Sequence, residues 1–383
     1  MQKIFSLDFV LGFFAQFAFS SVFYILIPTI PIYLSRWNSR ESEIGILVGA
    51  LSITSLVLRP FIGKGLLRIP ERSFMIAGSL LFAFSSLFYL LAPPFWPFLI
   101  VRIVQGIGFA LFSTASFTFI ANISPEGRRG QIISYFYLSI NIAFTLAPSF
   151  GMLIINAFDF TALFLVCTIF SLCSLWISFK LRKQTISSED PPAEDRSFLN
   201  RDALPPSTMG FLVNMNYGAL IAFFPLYALQ QGISNPGLFF GAFAFVLVVG
   251  RALGGKILDT YSRDRIILPC VILHIISNTL LCFSTTLSMF ILVAVIWGMG
   301  SALLYPTLMA YALDRAGSSR GPAMATFTAF ADLGVGMGPV IMGGVLQLTN
   351  YRTLFLCLVL NSCINLGYFS YAVRNRQKAR EPV

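Results

Sequence analysis

Two stretches of the sequence repeat one pattern, "LVLRPFIGKGLLRIPER" at residues 56–72 and "VVGRALGGKILDTYSRDR" at residues 248–265. Each stretch is an apolar run that contains an arginine and ends in glycine, lysine and a group of further charges. The arginines, Arg59 and Arg251, lie 192 positions apart (251 − 59 = 192). An arginine inside an apolar run is uncommon, and its repetition at a fixed distance indicates that the chain arose by internal duplication.

The composition identifies the solvent in which this chain folds. Of its 383 residues, 56% are hydrophobic and only 11% are charged, whereas a soluble domain has about 25% charged residues. Apolar segments long enough to cross a bilayer, about 17–25 residues each, recur along the whole length. They are continuously apolar rather than alternating, which excludes a membrane β-barrel. We therefore predict an all-α polytopic membrane protein.

Proline, glycine and charge clusters divide the chain into twelve predicted transmembrane spans. The spans are residues 7–34, 43–62, 73–92, 96–121, 131–156, 160–180, 206–231, 238–258, 265–285, 288–312, 322–348 and 353–374. Lysine and arginine are concentrated at the termini and in every second loop, while the opposite loops hold only Arg36, Arg40 and Arg352. The positive-inside rule then places both termini in the cytoplasm, as an even number of spans requires.

Several classes of protein are excluded by residues that the sequence lacks. The net charge is +10, but a nucleic-acid-binding protein presents its basic residues on the face of a folded soluble domain, and this chain has no such domain. The six cysteines fall inside apolar segments, where they resemble small core residues rather than disulfide or metal ligands. His274 is the single histidine, and the helices contain no nucleophile–base or acidic pair. We expect neither an enzyme, nor a metal site, nor a cofactor.

The duplication extends beyond the opening stretches. Glycines at matching places in the two halves are also 192 positions apart, namely Gly45 and Gly237, Gly49 and Gly241, Gly63 and Gly255, Gly106 and Gly298, and Gly108 and Gly300. Residues 181–205, rich in proline, serine and mixed charge, are typical of a linker. We predict two pseudo-symmetric six-helix bundles, residues 1–180 and 206–383, joined by a cytoplasmic linker. Transporters are commonly built from such repeated bundles.

Four stretches carry a resemblance to the major facilitator superfamily, which extends over essentially the full length. They are Gly255–Asp259 with the basic residues after it, Arg102-Ile-Val-Gln105-Gly106-Ile-Gly108, Ala147-Pro148-Ser-Phe-Gly151, and Asp332-Leu-Gly334-Val-Gly336-Met-Gly338-Pro339. The third resembles a degraded form of the G-P-x-x-G-G element typical of exporters, with Ala147-Pro148 in place of Gly-Pro. The fourth resembles a stretch frequent in the drug/proton antiporter-like branch. The resemblance implies the major facilitator fold.

The loop after the eighth span resembles the family's cytoplasmic clasp. A loop aspartate accepts charge-assisted hydrogen bonds from neighbouring arginines and a helix N-terminus, which holds the halves closed on that side. The predicted clasp comprises Arg251, Gly255, Lys256, Asp259, Arg263 and Arg265. In the first half Leu67 stands in place of the aspartate (259 − 192 = 67), and Glu71 is a candidate substitute. The alternative is that these charges only fix the topology.

Arg102 and Asp332 are the charges that lie deepest in the apolar spans. A charge at the centre of a membrane helix costs at least about 2.5–3.5 kcal/mol, so it usually faces water or a partner. An aspartate removed from water can take up a proton, and the resemblance links the arginine of the fourth span with proton transfer. We predict a proton-coupling role for both. The alternative is that neighbouring amides and carbonyls satisfy them, or that Asp332 anchors a helix end or pairs with a loop arginine.

The resemblance also implies which residues line the substrate cavity. The candidates are Gln16, Phe19, Phe23, Tyr24, Gln105, Tyr137, Asn141, Asn214, Tyr217, Phe223, Trp297 and Tyr305. Aromatic rings and amides with few charges favour an amphiphilic or aromatic solute. For each of these residues, the alternative is packing in the core or contact with lipid. Helix bending is predicted at Pro148, Gly334, Gly338 and Pro339, with close helix packing as the alternative.

The leading interpretation is a secondary transporter that exports small amphiphilic or aromatic compounds in exchange for protons, by alternating access. The alternatives are a metabolite or sugar-type importer and a lipid-moving transporter on the same fold. We expect a small-molecule substrate, protons as the coupling ion, a lipid bilayer around the helices and no nucleic acid. The chain is expected to act as a monomer in a bacterial inner membrane.

Overall fold

A computed structural model describes residues 6–93, 95–124, 129–182, 200–316 and 320–378, and all regular structure in these ranges is α-helical. The helices are α1 (Leu7–Arg36), α2 (Glu41–Gly65), α3 (Glu71–Phe88), α4 (Trp96–Ile123), α5 (Arg129–Ala157), α6 (Phe160–Lys180), α7 (Leu204–Gln230), α8 (Gly237–Thr260), α9 (Arg263–Leu281), α10 (Leu287–Ala316), α11 (Arg320–Leu348) and α12 (Tyr351–Lys378). Each of the twelve predicted spans lies on one of these helices, so the all-α fold class is confirmed.

Eleven of the helices are long and apolar enough to cross a membrane. The exception is α3, which has only 18 residues and begins with the charged pair Glu71 and Arg72. The structure ends α3 at Phe88 and α9 at Leu281, four residues before the predicted ends. Leu90 and Leu91 form an apolar turn after α3. Because these turn residues are as apolar as the helix before them, hydropathy alone does not mark the boundary.

The chain folds as two compact units, one holding α1–α6 together with Ser234–Gly237 and the other holding the rest of residues 191–383. In the first unit α1 packs on α5 and α6, and α4 packs on α2 and α3. In the second unit α7 packs on α11, and α9 packs on α10 and α12. Residues 183–199, which include most of the predicted linker, lie outside the described residues.

The duplication predicted from the glycines is present in the contacts that these glycines make. A Cβ atom added at Gly106 of α4 would lie 2.8 Å from the carbonyl oxygen of Leu51 in α2. A Cβ atom added at Gly298 of α10 would lie 3.2 Å from the carbonyl oxygen of Phe243 in α8. Both members of the second pair are 192 positions beyond the first (298 − 106 = 192; 243 − 51 = 192). Each glycine therefore allows the same close backbone approach in its own half.

A second pair of glycines repeats this relation on the other side of the same two helices. An added Cβ at Gly108 would lie 3.0 Å from the carbonyl oxygen of Gly78 in α3, and one at Gly300 would lie 3.0 Å from that of Cys270 in α9. The offset is again 192 (300 − 108 = 192; 270 − 78 = 192). Helices α4 and α10 are thus clamped between two neighbours each, which fixes the direction of their side chains.

The glycines of α11 bring it into backbone contact with α7. An added Cβ at Gly334 would collide with the carbonyl oxygen of Phe211, and one at Gly338 with that of Met215. Gly218 of α7 has the same relation to Val335. Close packing, the alternative weighed for these glycines, is therefore observed. Helix bending at Gly334, Gly338, Pro148 and Pro339 stays a prediction; both prolines lie inside helices without interrupting them.

Candidate functional site

Arg102 lies inside the first unit with its side chain almost fully enclosed, at 6% exposure. Its Nε donates to the carbonyl oxygen of Leu47 at 2.8 Å, and one terminal nitrogen donates to that of Val48 at 3.0 Å. The other terminal nitrogen donates to Oε1 of Gln105 at 2.7 Å, an oxygen that also accepts from the Tyr89 hydroxyl at 2.6 Å. The guanidinium thus ties α4 to two carbonyl groups of α2.

These contacts correspond to the alternative in which carbonyls and an amide satisfy the arginine. They do not test its proposed part in proton transfer, which stays a prediction. Tyr89 was not among the predicted residues because its partner, Gln105, comes from another helix, and only the folded chain brings the two together. The arrangement joins the ends of three helices around one buried cation.

Gln16 of α1 forms a second polar link to α4. Its Nε2 donates to the Ser20 hydroxyl at 2.8 Å, and its Oε1 accepts from the Ser116 hydroxyl at 2.7 Å. Because both amide atoms are engaged and the side chain is buried, Gln16 joins the two helices. Its predicted role in a substrate cavity remains a prediction.

The predicted aromatic residues divide into an enclosed and a half-buried group. Phe19 lies between Phe82 of α3 and Phe112 of α4, with ring centroids 4.1 and 3.9 Å away. Phe223 in the second unit is equally enclosed. Residues in such positions stabilise their helix bundle, whatever else they contact.

The half-buried rings of the first unit form a connected series. Phe23 stacks on Phe109 of α4 at 4.8 Å, and Tyr24 stacks on Phe144 of α5 at 4.6 Å. Phe23 and Tyr24 meet edge to face at 5.1 Å. On α5, Tyr137 is exposed and packs on Phe117, whereas Asn141 is half-buried. These side chains provide an aromatic surface with one amide nearby in sequence.

The second unit replaces the arginine cluster by aromatic packing. Trp297 occupies the position equivalent to Gln105 (297 − 105 = 192), and Ala294 the position equivalent to Arg102 (294 − 102 = 192). Trp297 is buried and stacks on Phe243 of α8 at 4.3 Å, with Tyr217 of α7 at 5.8 Å. The two units therefore share a backbone but present different chemistry at the same place.

Asp332 is half-buried in α11, two residues before the contact of Gly334 with α7. Half-buried side chains on the neighbouring helices include Asn214, Tyr217 and Tyr305. The amide of Asn214 donates to the carbonyl oxygen of Gly210 at 2.8 Å, and Tyr305 packs on Phe327 at 5.3 Å. Asp332 is thus an acidic group on an apolar helix with aromatic and amide groups on α7 and α10.

The predicted clasp is described only in part. The side chains of Gly255, Lys256 and Asp259 lie outside the described residues, and Arg251 and Arg265 are exposed. Arg263 forms an ion pair with Asp314, at the end of α10, with Nε and Oδ2 3.2 Å apart. Asp314 is not among the residues predicted from the sequence. The clasp itself stays a prediction.

The Arg263–Asp314 pair has a counterpart of different chemistry in the first unit. Asn122 of α4 donates to Oε1 of Glu71 in α3 at 2.5 Å, and Glu71 is only 6% exposed. The residues correspond by the same offset (263 − 71 = 192; 314 − 122 = 192). Both pairs join the first turn of one helix to the last turns of its neighbour. The offset found from the glycines thus relates each member of one pair to a member of the other, and the structure shows that each pair is in contact.

Other buried polar groups join helices within the second unit. His274 is enclosed, with Nε2 3.0 Å from the Ser301 hydroxyl. Asn216 of α7 donates to Ser362 of α12 at 2.9 Å and accepts from Asn361 at 2.7 Å. Among the residues that the structure describes, no group of three His, Cys, Asp or Glu side chains is placed to hold a metal ion.

The chain is similar to one known protein family and to several bacterial proteins over most of its length. The family model described as Major Facilitator Superfamily matches residues 12–275 and 207–382. The staphylopine export protein of Staphylococcus aureus (strain Mu50) is 24% identical over 360 residues, covering 87% of both chains. Multidrug resistance protein 2 of Bacillus subtilis (strain 168) is 24% identical over 368 residues, covering 90% of this chain and 89% of that one. The quinolone resistance protein NorA of Staphylococcus aureus (strain MSSA476) is 21% identical and covers 84% and 85%.

Solved structures show the same fold at lower sequence identity. The nucleoside transporter NupG superposes with a TM-score of 0.81 at 12% identity, covering 96% of this chain and 99% of that one. A POT family transporter in complex with 5-aminolevulinic acid gives a TM-score of 0.77 at 12% identity, covering 97% and 96%.

Proposed function

Because this chain belongs to the major facilitator superfamily, whose members are secondary transporters, we propose that it exports small amphiphilic or aromatic compounds in exchange for protons. The observation that carries the proposal is the set of half-buried rings on α1, α7 and α10, namely Phe23, Tyr24, Tyr217 and Tyr305. Such rings bind flat apolar solutes by stacking and contribute little charge.

The relatives support the direction of transport. Proteins similar over most of their length are named for the export of staphylopine and for resistance to several drugs or to quinolones. Resistance of this kind results when a compound leaves the cell. The identities are all below 25%, so the cargo of this chain is proposed from its own residues, by class only.

Proton coupling is proposed for Asp332 and Arg102. Asp332 is a half-buried acidic group on an apolar helix, and ionisable groups inside membrane helices commonly mark ion and proton pathways. Arg102 is a fixed cation bound to α2 carbonyls and to Gln105, so its orientation depends on the packing of α4 on α2. A change in that packing would alter the field that the arginine contributes, and through it the ease of proton transfer.

The chain is proposed to lie in a bacterial inner membrane with a defined orientation. The uneven distribution of lysine and arginine supports an orientation with both termini in the cytoplasm, and the bacterial relatives support a bacterial inner membrane. The clasp around Asp259, the linker at 181–205 and a monomeric transporter complete the proposal. Alternating access of the two halves is the mechanism expected of the family.

Transport by the purified chain in proteoliposomes tests this proposal. A cationic fluorescent dye such as ethidium, and a quinolone such as norfloxacin, are presented outside vesicles with an acidic lumen. We expect accumulation of at least one probe in the lumen while the pH gradient lasts, and its release when an uncoupler collapses the gradient. Asp332→Asn and Arg102→Ala are expected to abolish accumulation, whereas Arg352→Gln, which also removes a cation from the helices, is not.

The alternatives give different outcomes in the same vesicles. An importer would accumulate cargo in an alkaline lumen, and a lipid-moving protein would redistribute a labelled phospholipid between leaflets without a pH gradient. Either result with no movement of the two probes would replace the proposal. Normal accumulation in both Asp332→Asn and Arg102→Ala would remove the coupling assignment and leave the exporter.

A further inference from the structure

The N-terminal end of α3 and the C-terminal end of α6 meet in a cluster of basic and aromatic side chains. The guanidinium of Arg72 donates from Nη2 to the carbonyl oxygen of Phe179 at 2.5 Å, which fixes it beside the last turn of α6. In that turn, the ammonium of Lys180 lies over the ring of Trp176, 5.3 Å from its centroid. We call Arg72, Trp176, Phe179 and Lys180 the α3–α6 cluster.

The acidic side chains in the first turns of α1 and α3, Asp8 and Glu71, have partners outside this cluster. Glu71 is turned inward, where it accepts the amide of Asn122. Asp8 at the start of α1 accepts the backbone N–H of Arg182 at 3.2 Å. Leu67, in the loop before α3, carries no charge, whereas the equivalent position in the second half holds Asp259. Within the part of the chain that the structure describes, neither Arg72 nor Lys180 has an ion pair with a carboxylate.

The second half does not repeat the cluster. The position equivalent to Arg72 holds Asp264, and the one equivalent to Lys180 holds Ala372 (264 − 72 = 192; 372 − 180 = 192). There the neighbouring cation, Arg263, has a protein carboxylate as its partner, that of Asp314. The second half therefore has no cation at either of the two positions equivalent to Arg72 and Lys180.

The rim of the cluster is apolar and exposed. Trp176 is 64% exposed and Phe179 51% exposed. A lysine beside an exposed tryptophan at the end of an apolar helix is typical of the interface between acyl chains and head groups. Two cations next to exposed aromatic rings match the charged head group and the apolar acyl chains of one phospholipid molecule. Anionic head groups are attracted to such positions.

We propose that the α3–α6 cluster binds the head group of an anionic phospholipid. The phosphate accepts hydrogen bonds from Arg72 and Lys180, and the acyl chains lie along Trp176 and Phe179. The lipid phosphate supplies a negative charge to these two cations. This site is independent of the cargo and of the coupling ion, so it stands or falls apart from the proposed transport function.

Quenching of tryptophan fluorescence by brominated lipids measures the lipid that occupies this site. The chain has four tryptophans, and full-length variants that keep only Trp176 or only Trp96 are reconstituted in vesicles. Trp96, 71% exposed, lies at the start of α4, at the opposite end of the bundle, and is the matched control. Dibrominated phosphatidylglycerol and dibrominated phosphatidylcholine are compared as quenchers. We expect phosphatidylglycerol to be preferred about fivefold or more at Trp176 and not at Trp96.

Charge variants assign the preference to the cluster. In the Trp176 background, Arg72→Gln with Lys180→Gln is expected to reduce the preference to the value at Trp96, whereas Arg72→Lys with Lys180→Arg retains it. Arg36→Gln with Arg40→Gln removes two cations from the opposite end of the same unit and is expected to change nothing. Equal preferences at Trp176 and Trp96 in the chain with native charges would overturn the proposal, and that comparison requires no charge variant to fold. A preference at Trp176 that survives Arg72→Gln with Lys180→Gln would overturn it as well.

Discussion

Exchanging the polar pair of the first unit for that of the second tests the duplication at the level of single contacts. The change is Glu71→Arg with Asn122→Asp, which copies Arg263 and Asp314 into α3 and α4. A hydrogen bond to a charged group contributes about 1.5–3 kcal/mol. Asn122→Asp alone loses the bond to Glu71 and sets two carboxylates at one contact. We expect a loss of about 2–3 kcal/mol in the free energy of unfolding.

The double variant is expected to recover most of that loss. Part of the recovery comes from removing the repulsion, and the rest from the new ion pair. The second part is small, about 0.2–1 kcal/mol, because the pair is partly exposed to solvent. Glu71→Arg alone also loses the bond to Asn122 and completes the cycle, so this recovery corresponds to a coupling energy of at least about 2 kcal/mol between the two substitutions, well above the error of a double-mutant cycle.

The cycle is measured on purified protein in mixed micelles, by denaturation with sodium dodecyl sulfate followed by circular dichroism. Asn122→Ala serves as the control, since it removes the hydrogen bond without adding charge. Additive losses in the double variant, with no coupling, would show that residues 71 and 122 do not form the counterpart of residues 263 and 314. The inferred correspondence between the two pairs would then be wrong.

Two further predictions concern the stability of the second unit. Gly338→Ala would place a methyl group against the carbonyl oxygen of Met215 and is expected to lower the free energy of unfolding by about 1–3 kcal/mol. Gly344→Ala in the same helix meets no atom within 4 Å and is the control. Equal melting temperatures of the two variants would contradict the packing of α11 on α7. The indole N–H of Trp297 is buried without a hydrogen-bond partner among the described residues. Because Trp297→Phe removes this unpaired donor, it is expected to leave the thermal stability unchanged or raised, whereas Trp297→Ala should lose about 3–5 kcal/mol in the free energy of unfolding. A large loss of stability in Trp297→Phe would contradict the absence of a partner.

The twelve helices and the duplication were predictable because both are recorded in residue types. Apolar runs of fixed length mark spans, and glycines such as Gly106 and Gly298 stay glycine in both halves because the backbone of a neighbour lies where a side chain would be. The end of α3 was not predictable, since Leu90 and Leu91 continue the apolar run into a turn. Hydropathy describes whether a residue prefers water or an apolar environment, and it contains no information on the backbone dihedral angles that end a helix.

The polar contacts were predictable only in part. Arg102 and Gln105 were recognised together because they match the family's R-x-x-Q-G-x-G pattern, and their contact is a local one between side chains three residues apart on one helix. Tyr89, Asn122 and Asp314 were missed because their partners come from other helices, and the rotation of one helix against another is set by packing. The pairs at 71–122 and 263–314 also differ in residue type, which conceals their equivalence from a search for identical residues.

The most direct test of the proposed function separates movement of cargo from coupling to protons. Asp332→Asn is reconstituted and assayed twice, for exchange of labelled against unlabelled cargo without a gradient, and for accumulation driven by an acidic lumen. Asp159→Asn, which changes a helix-capping carboxylate at the start of α6, is the matched control and is expected to behave as the native chain. We predict that Asp332→Asn retains exchange and loses accumulation. Accumulation by Asp332→Asn at the native level would contradict proton coupling through this residue.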